Sequence, residues 1–220
     1  MLEHFSLKVK AGSNIAIVGE TGAGKTTLVN LVCRFYEPTA GQVLIDGKDV
    51  RERSMLWLHS HLGYVLQSPH LFSGTVRENL CYGRADATDE EIWQALSQVH
   101  AVDIVRRLGG LEGIIREGGG SLSTGEKQLL SFARAILADP RLLILDEATS
   151  SVDTVTEKAI QDAIRTVIRG RTSFVIAHRL STIREADLIL VVEDGRIIEQ
   201  GTHAQLMQQR GAYYELCMRQ

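Results

Sequence analysis

The chain has 220 residues, a formal net charge of −3 and a pI near 6.2. Hydrophobic residues make up 44% and charged residues 23%, which is typical of a soluble globular domain with a full core. The mild acidity argues against a free-standing nucleic-acid binder, since such proteins are more often basic. Three widely spaced cysteines, Cys33, Cys81 and Cys217, predict a reduced, cytosolic chain without a disulfide framework or a zinc site.

The N-terminus carries charged residues where a secretory signal would need an apolar region. The longest apolar runs, such as 142–145 and 188–192, are far shorter than the roughly 20 residues of a membrane-spanning helix. A membrane role is therefore expected to act through a partner or through a segment outside this chain.

Short β-rich runs alternate along the chain with amphipathic helical stretches. The predicted strands are, in chain order, 5–9, 14–18, 42–46, 63–67, 141–146, 172–177, 188–192 and 196–200. Helices are predicted at 25–35 and at about 155–168 from the helical spacing of their apolar residues. Asp194-Gly195, between the last two strands, predicts a hairpin turn.

The stretch 70–138 is mostly helical in character. Capping boxes are predicted at 88–91 and 123–126, and the helix after the second one is expected to end before Asp139-Pro140. The whole pattern predicts an α/β fold with a mainly parallel core sheet, an N-terminal antiparallel β portion and an inserted α-helical lobe. The expected boundaries are 1–69 and 139–220 for the core lobe and 70–138 for the helical lobe.

A glycine-rich segment follows the strand 14–18 and matches the phosphate-binding pattern G-x-x-x-x-G-K-S/T. Its glycines let backbone N–H groups turn toward phosphate oxygens, and the helix after it adds its N-terminal dipole. Lys25 is expected to contact the β- and γ-phosphates of ATP, and the Thr26 hydroxyl is expected to bind Mg²⁺. The alternative is a glycine turn that matches the pattern by chance. The strand before this segment and the helix after it argue against that alternative. The residues expected to bind the nucleotide here are Gly19, Thr21, Gly22, Ala23, Gly24, Lys25, Thr26 and Thr27.

Two carboxylates mark the end of the predicted buried strand 141–146. Asp146 is its last residue, and Glu147 follows. A carboxylate at the tip of a core strand can hold Mg²⁺ directly or through water, and Glu147 is then the natural base for the attacking water. The alternative is that both residues merely begin a loop.

The segment 121–127 reads Ser-Leu-Ser-Thr-Gly-Glu-Lys and resembles the LSGGQ signature of ABC ATPases. The other motifs of that family occur in order: Gln67 is similar to the Q-loop glutamine, 150–153 resembles the D-loop, and His178 resembles the switch histidine. The resemblance extends over about residues 5–205 and implies a P-loop NTPase fold.

The resemblance also implies roles for single residues. Glu147 and His178 are expected to be catalytic, and Gln67 is expected to join the Mg²⁺ ligands. Ser123 and Gly125 are expected to face the γ-phosphate of ATP bound on a second subunit, although Ser123 is also explained as a simple helix cap.

Residues 70–80 and 117–119 resemble exporters in which the transmembrane and ATPase domains share one polypeptide. This implies a domain, itself soluble, that lies at the cytoplasmic side of the cell membrane and hydrolyses ATP to power transport. The implied partners are the transmembrane domain and a second ABC ATPase domain, identical or different, with no nucleic acid. Gly118 stands where the family pattern has arginine, so the contact of this segment with the membrane domain is expected to be altered.

The signature departs from the family pattern at two positions. Thr124 adds a β-branched side chain where the backbone would approach phosphate, and Glu126 adds negative charge near a polyanion. Both are expected to weaken the ATP site that this signature completes, which suggests a heterodimer with one efficient and one poor site. A homodimer that tolerates the changes stays open.

In the family an aromatic residue stacks on adenine, and Phe5 is expected to be a core residue instead of this aromatic. The stacking aromatic usually lies more than twenty residues before the phosphate loop, and only 18 residues precede Gly19. We expect this aromatic to lie outside the chain, and the chain alone to bind ATP weakly.

Other classes of function fit less well. Soluble ABC ATPases of ribosomes or DNA repair are expected to carry two such domains or a long coiled coil. A P-loop small-molecule kinase has no reason to combine the signature with Gln67 and His178. A nucleotide-switched interaction module, not coupled to transport, remains the alternative to an exporter ATPase.

Overall fold

The computed structural model describes residues 2–3, 5–146, 154–177 and 179–219. Its strands are β1 (Asn14–Val18), β2 (Leu44–Ile45), β3 (Lys48–Asp49), β4 (Leu62–Val65), β5 (Gly74–Thr75), β6 (Ile114–Ile115), β7 (Leu142–Asp146), β8 (Thr172–Ile176), β9 (Leu188–Glu193) and β10 (Arg196–Gly201). Its α-helices are α1 (Lys25–Val32), α2 (Met55–Ser60), α3 (Val76–Leu80), α4 (Asp89–Gln98), α5 (Val102–Arg107), α6 (Thr124–Ala138), α7 (Thr154–Ile168), α8 (Leu180–Arg184), α9 (His203–Gln209) and α10 (Ala212–Arg219). No helix in these ranges combines the length and the hydropathy that a membrane span requires.

The chain divides into two compact units. The first comprises Met1–Leu62, Arg141–Glu147 and Gly170–Gln220, and the second comprises Gly63–Pro140 and Ala148–Arg169. The expected helical lobe falls within the second unit. α7, which the sequence placed with the core lobe, belongs to the second unit because it packs along α6.

The first unit is built around a mainly parallel sheet in which the strand order is β10-β9-β1-β8-β7. β1 pairs in parallel with β8 and β9, and β7 pairs in parallel with β8. All five residues of β1 are buried, as are most of those in β7, β8 and β9. Strands covered on both faces read as continuous apolar runs, which is why the sequence located them to within a residue or two.

The antiparallel edge of this sheet is a hairpin between β9 and β10. Its two turn residues have positive φ, 46° at Asp194 and 76° at Gly195. A two-residue turn of this kind needs positive φ at both positions, and Asp-Gly is a preferred pair for it. The predicted hairpin is thus confirmed.

Three predicted elements in the first unit need correction. Residues 5–9 form no strand among the described residues, and the strand predicted at 42–46 is reduced to the two residues of β2. An apolar alternating pattern makes a strand only where a neighbouring backbone completes the ladder. The helix predicted to reach residue 35 ends at Val32.

The early end of α1 has a clear local cause. Arg34 adopts a left-handed conformation with φ 56°, and its N–H donates to the Leu31 carbonyl. The Phe35 N–H donates to the Asn30 carbonyl, which completes a Schellman motif. Phe35 is consequently turned outward and is 51% exposed instead of lying on the apolar face of the helix.

The second unit packs its helices around α6. This helix contacts α3, α4 and α7, and it ends at Ala138 before Asp139-Pro140 as predicted. Capping boxes at Thr88 and Ser123 begin α4 and α6, which confirms both predicted helix starts. The apolar residues at helical spacing in this unit are buried: Ile92, Ala95 and Leu96 of α4, Val99 directly after it, and Ile160, Ala163, Ile164 and Val167 of α7.

Candidate functional site: a phosphate-binding loop and a capped signature helix

The glycine-rich segment forms a loop between β1 and α1. Gly19, Gly22 and Gly24 have φ of 149°, 85° and 108°, values that side chains rarely adopt. A Cβ on Gly19 would lie 2.1 Å from the Val192 carbonyl oxygen, so only glycine fits there. The sequence did not reveal this constraint, since Val192 comes from β9, far along the chain.

The side chain of Lys25 lies across this loop. It is 8% exposed, and its Nζ donates to the carbonyls of Gly19 and Glu20, each at 2.8 Å. Burial lowers the pKa of the Lys25 amine, and the nearby Asp146 carboxylate acts in the opposite direction. The Lys25 ammonium therefore lies at the centre of the loop. Backbone carbonyls bind it, and the carboxylate at the end of β7 balances its charge.

The first turn of α1 fits a phosphate group. The cap residue Gly24 makes no side-chain hydrogen bond to this turn, so the N–H groups of Lys25, Thr26 and Thr27 have no side-chain cap. Uncapped N–H groups at a helix N-terminus attract anions. By contrast, the Ala23 N–H is used inside the loop, where it donates to the Glu20 carbonyl.

The expected magnesium ligands divide between the two units. Thr26 is exposed on the first turn of α1, and Asp146 is half-buried at the end of β7, both in the first unit. A hydroxyl and a carboxylate suit Mg²⁺, which also keeps waters and phosphate oxygens as ligands. Among the described residues, no three His, Cys, Asp or Glu side chains are grouped as metal ligands. Gln67 is exposed in the second unit, and its metal role stays a prediction.

The register of the sheet brings three strand ends to one edge. Ile17 of β1 and Asp146 of β7 are both aligned with Ile176 of β8. The expected catalytic residues follow two of these strands in the sequence, Glu147 directly after β7 and His178 two positions after β8. Both lie outside the described residues, as does the D-loop segment 150–153.

The signature segment forms the N-terminus of α6. The Ser123 Oγ accepts from the Glu126 N–H at 3.2 Å, and the Glu126 carboxylate accepts from the Ser123 N–H at 2.9 Å. Thr124 is exposed and Gly125 is buried in the first turn. The second carboxylate oxygen of Glu126 accepts from Arg107, a residue that sequence reasoning did not select.

The two segments that resemble exporters, 70–80 and 117–119, are connected by a backbone hydrogen bond in the second unit. Gly118 has φ 68°, open space where a Cβ would lie, and an N–H that donates to the Leu71 carbonyl. Asn79 is buried and bonds the backbone of Phe72 and Thr75. These contacts give the segment a fixed local structure, while its contact with a membrane domain stays a prediction.

One prediction follows from the crowding at Gly19. We expect Gly19→Ala to lower the free energy of unfolding by about 3 kcal/mol or more, because the new Cβ would clash with the Val192 backbone. The matched control is Gly12→Ala, which has φ 79° but no atom within 4 Å of the place where its Cβ would lie, and which should cost only about 1 kcal/mol. Urea unfolding of both variants measures the difference, and equal losses would show that the clash is relieved.

Comparisons with known proteins show which family the chain resembles. The family model described as ABC transporter matches residues 2–150. The chain is 54% identical over 217 residues to the fatty acid ABC transporter ATP-binding/permease protein of Mycobacterium tuberculosis, covering 98% of the chain and 34% of that protein. It is 50% identical over 217 residues to the probable multidrug resistance ABC transporter ATP-binding/permease protein YheH of Bacillus subtilis, covering 98% of the chain and 32% of that protein.

A solved structure is also similar along nearly the whole chain. The structure of a bacterial Atm1-family ABC exporter with ATP bound superposes with a TM-score of 0.91 at 42% identity, covering 99% of this chain and 38% of that one. The chain thus spans about a third of the length of the proteins it matches.

Proposed function

Since the chain belongs to the ABC transporter family and is an ATPase domain of that family, we propose that it binds and hydrolyses ATP to power an exporter. The observation that carries the proposal is the loop between β1 and α1, with a buried Lys25 at its centre, uncapped helix N–H groups beside it and Asp146 at the end of β7. Such a loop is suited to the phosphates of a nucleotide.

The groups at this loop have different roles in binding ATP. The Lys25 ammonium exchanges its bonds to the Gly19 and Glu20 carbonyls for the β- and γ-phosphate oxygens. The N–H groups of the first turn of α1 donate to the same phosphates. Thr26 and Asp146 of the first unit would hold Mg²⁺, which when bound neutralises charge on the phosphates, and the metal role of Gln67 stays a prediction.

Hydrolysis depends on the two residues that follow the strand ends. A water oxygen attacks the γ-phosphorus, and the bond from that phosphorus to the β–γ bridging oxygen breaks. The proton of the water passes to the Glu147 carboxylate. His178 contacts the γ-phosphate and senses whether it is still attached.

The cycle requires a second ABC ATPase domain. In the closed pair each ATP lies between one loop at Lys25 and the opposite signature, where Ser123 and Gly125 face the γ-phosphate. ATP favours the closed pair, and hydrolysis reverses closure. The difference in ATP affinity between the closed and open states therefore supplies the free energy for transport. The names of the relatives, ATP-binding/permease proteins, support a transmembrane partner, beside which the domain would lie at the cytoplasmic side of the membrane. Those names cite different substrates, fatty acid and multiple drugs, so the substrate is not set by this domain.

A pair of matched cap variants tests the proposal. Ser123→Ala and Thr88→Ala each remove a capping box of the same geometry, from α6 and α4 respectively. Each should lower the free energy of unfolding by about 1 kcal/mol. Only Ser123→Ala should also lower ATP hydrolysis, by about 10- to 100-fold, because only this hydroxyl faces a phosphate.

Phosphate release and thermal unfolding of the intact protein measure the two effects separately. If both variants lose activity equally, the cap and not the phosphate contact explains the loss at Ser123.

A further inference from the structure

The side chain of Glu126 is fixed on both of its oxygens. One oxygen accepts from the Ser123 N–H at 2.9 Å, and the other accepts from Nη2 of Arg107, at the end of α5. The Glu126 side chain is 19% exposed and that of Arg107 is 60% exposed. The pair therefore lies at the surface of the second unit, with the carboxylate withdrawn from water and the guanidinium facing it.

The carboxylate of Glu126 remains charged in this setting. Partial burial acts to raise its pKa, but the hydrogen bonds from Arg107 and Ser123 outweigh burial and hold the pKa below its usual value. The negative charge that was expected to weaken the ATP site is thus present. It is compensated by the cation of Arg107, 19 residues earlier in the chain.

The capping geometry also determines what the Ser123 hydroxyl can do. Its oxygen accepts from the Glu126 N–H at 3.2 Å, so its proton is left to donate to another group. The N–H groups of Thr124 and Gly125 precede the first backbone hydrogen bond of α6, which runs from Lys127 to Ser123. No acceptor for either N–H is found among the described residues. The Ser123 hydroxyl and these two N–H groups are thus three available donors in the first turn of α6.

An unpaired carboxylate beside these donors would repel phosphate. Like charges a few Å apart near a protein surface repel each other strongly in the absence of compensation. With Arg107 in place the pair is neutral, and the N-terminal dipole of α6 leaves this end positive.

Building on the proposed function, we infer that Arg107 is a positioning residue of the signature: its guanidinium holds Glu126 on the first turn of α6, so that this glutamate-containing signature can receive the γ-phosphate of ATP bound on a second copy of the chain. The electrostatic reason for expecting a poor site is thereby removed. A second copy can supply a working signature, and a different partner chain is not needed on account of Glu126.

The neighbouring Arg106 provides a matched control. It lies one position earlier on α5, is 71% exposed and pairs with Asp103 at 3.4 Å within the same helix. Arg106→Ala removes the same charge from the same helix without touching α6.

The test is a double-mutant cycle on the intact protein, measuring ATP-dependent phosphate release against ATP concentration. With Glu126 present, Arg107→Ala should raise the ATP concentration for half-maximal turnover about tenfold. In the Glu126→Gln background the same replacement should change it by less than about twofold, since no charge is left to compensate. Arg107→Lys should retain most of the wild-type affinity, and Arg106→Ala should match the wild type. The melting temperature of each variant checks that the fold is kept.

Two results would overturn the inference. One is an equal effect of Arg107→Ala in both backgrounds, which would mean that Arg107 acts independently of Glu126. The other is no effect of Arg107→Ala while Glu126 is present. After either result, the proposed function would still stand if the wild-type protein hydrolyses ATP and this hydrolysis depends on Lys25. A wild-type protein that does not hydrolyse ATP would overturn both the proposed function and the inference about Arg107.

Discussion

Lys25→Ala is expected to reduce ATP hydrolysis by at least about a hundredfold, because it removes the charge that neutralises the β- and γ-phosphates. The replacement also deletes two hydrogen bonds, from Nζ to the Gly19 and Glu20 carbonyls. These bonds carry a charged donor and are stronger than neutral ones, so the loop itself should lose order. Phosphate release by the intact protein and nucleotide binding measured by equilibrium dialysis should both fall.

The control for this variant is Lys48→Ala. Lys48 is exposed on β3, in the same unit as Lys25, and no part of the proposed site includes it. Its replacement should leave hydrolysis unchanged. Retention of more than half of the wild-type rate by Lys25→Ala would mean that the loop does not bind the reacting phosphates.

Glu147→Gln is expected to lower turnover by about 10²- to 10⁴-fold while ATP binding is kept, since glutamine has the same shape but cannot accept the proton of the attacking water. The control is Glu193→Gln, an exposed position at the end of β9. Single-turnover phosphate release separates this loss from any change in binding. A variant that still hydrolyses ATP at the wild-type rate would assign the base to another residue.

The core of the fold could be predicted from the sequence because its local signals agree with its packing. β7, β8 and β9 are continuous apolar runs, and Asp194-Gly195 is a preferred pair for a turn with two positive φ values. Prediction failed where the outcome depends on a distant or unexpected group. Residues 5–9 lack a ladder, and α1 ends in a Schellman motif built on Arg34, without the usual glycine.

In the candidate site too, local features could be predicted from the sequence and contacts with distant residues could not. The loop at Lys25 and the capping box at Ser123 are short patterns whose chemistry is local, so the sequence revealed them. The carbonyl of Val192 behind Gly19 and the guanidinium of Arg107 on Glu126 come from other elements, and no spacing along the chain marks them. Reading Glu126 in isolation therefore predicted a repulsive charge where the structure has a compensated one.

The central claim, that ATP closes two of these domains on each other, is tested most directly by the molar mass of the Glu147→Gln chain. Light scattering with and without Mg-ATP gives this mass, and equilibrium dialysis of the same sample gives the bound nucleotide. Because the variant cannot complete hydrolysis, the closed pair should accumulate, and the mass should rise from the 24.3 kDa of one chain to twice that value with ATP. A mass that stays at one chain while ATP is bound would contradict the claim that two copies close around the nucleotide.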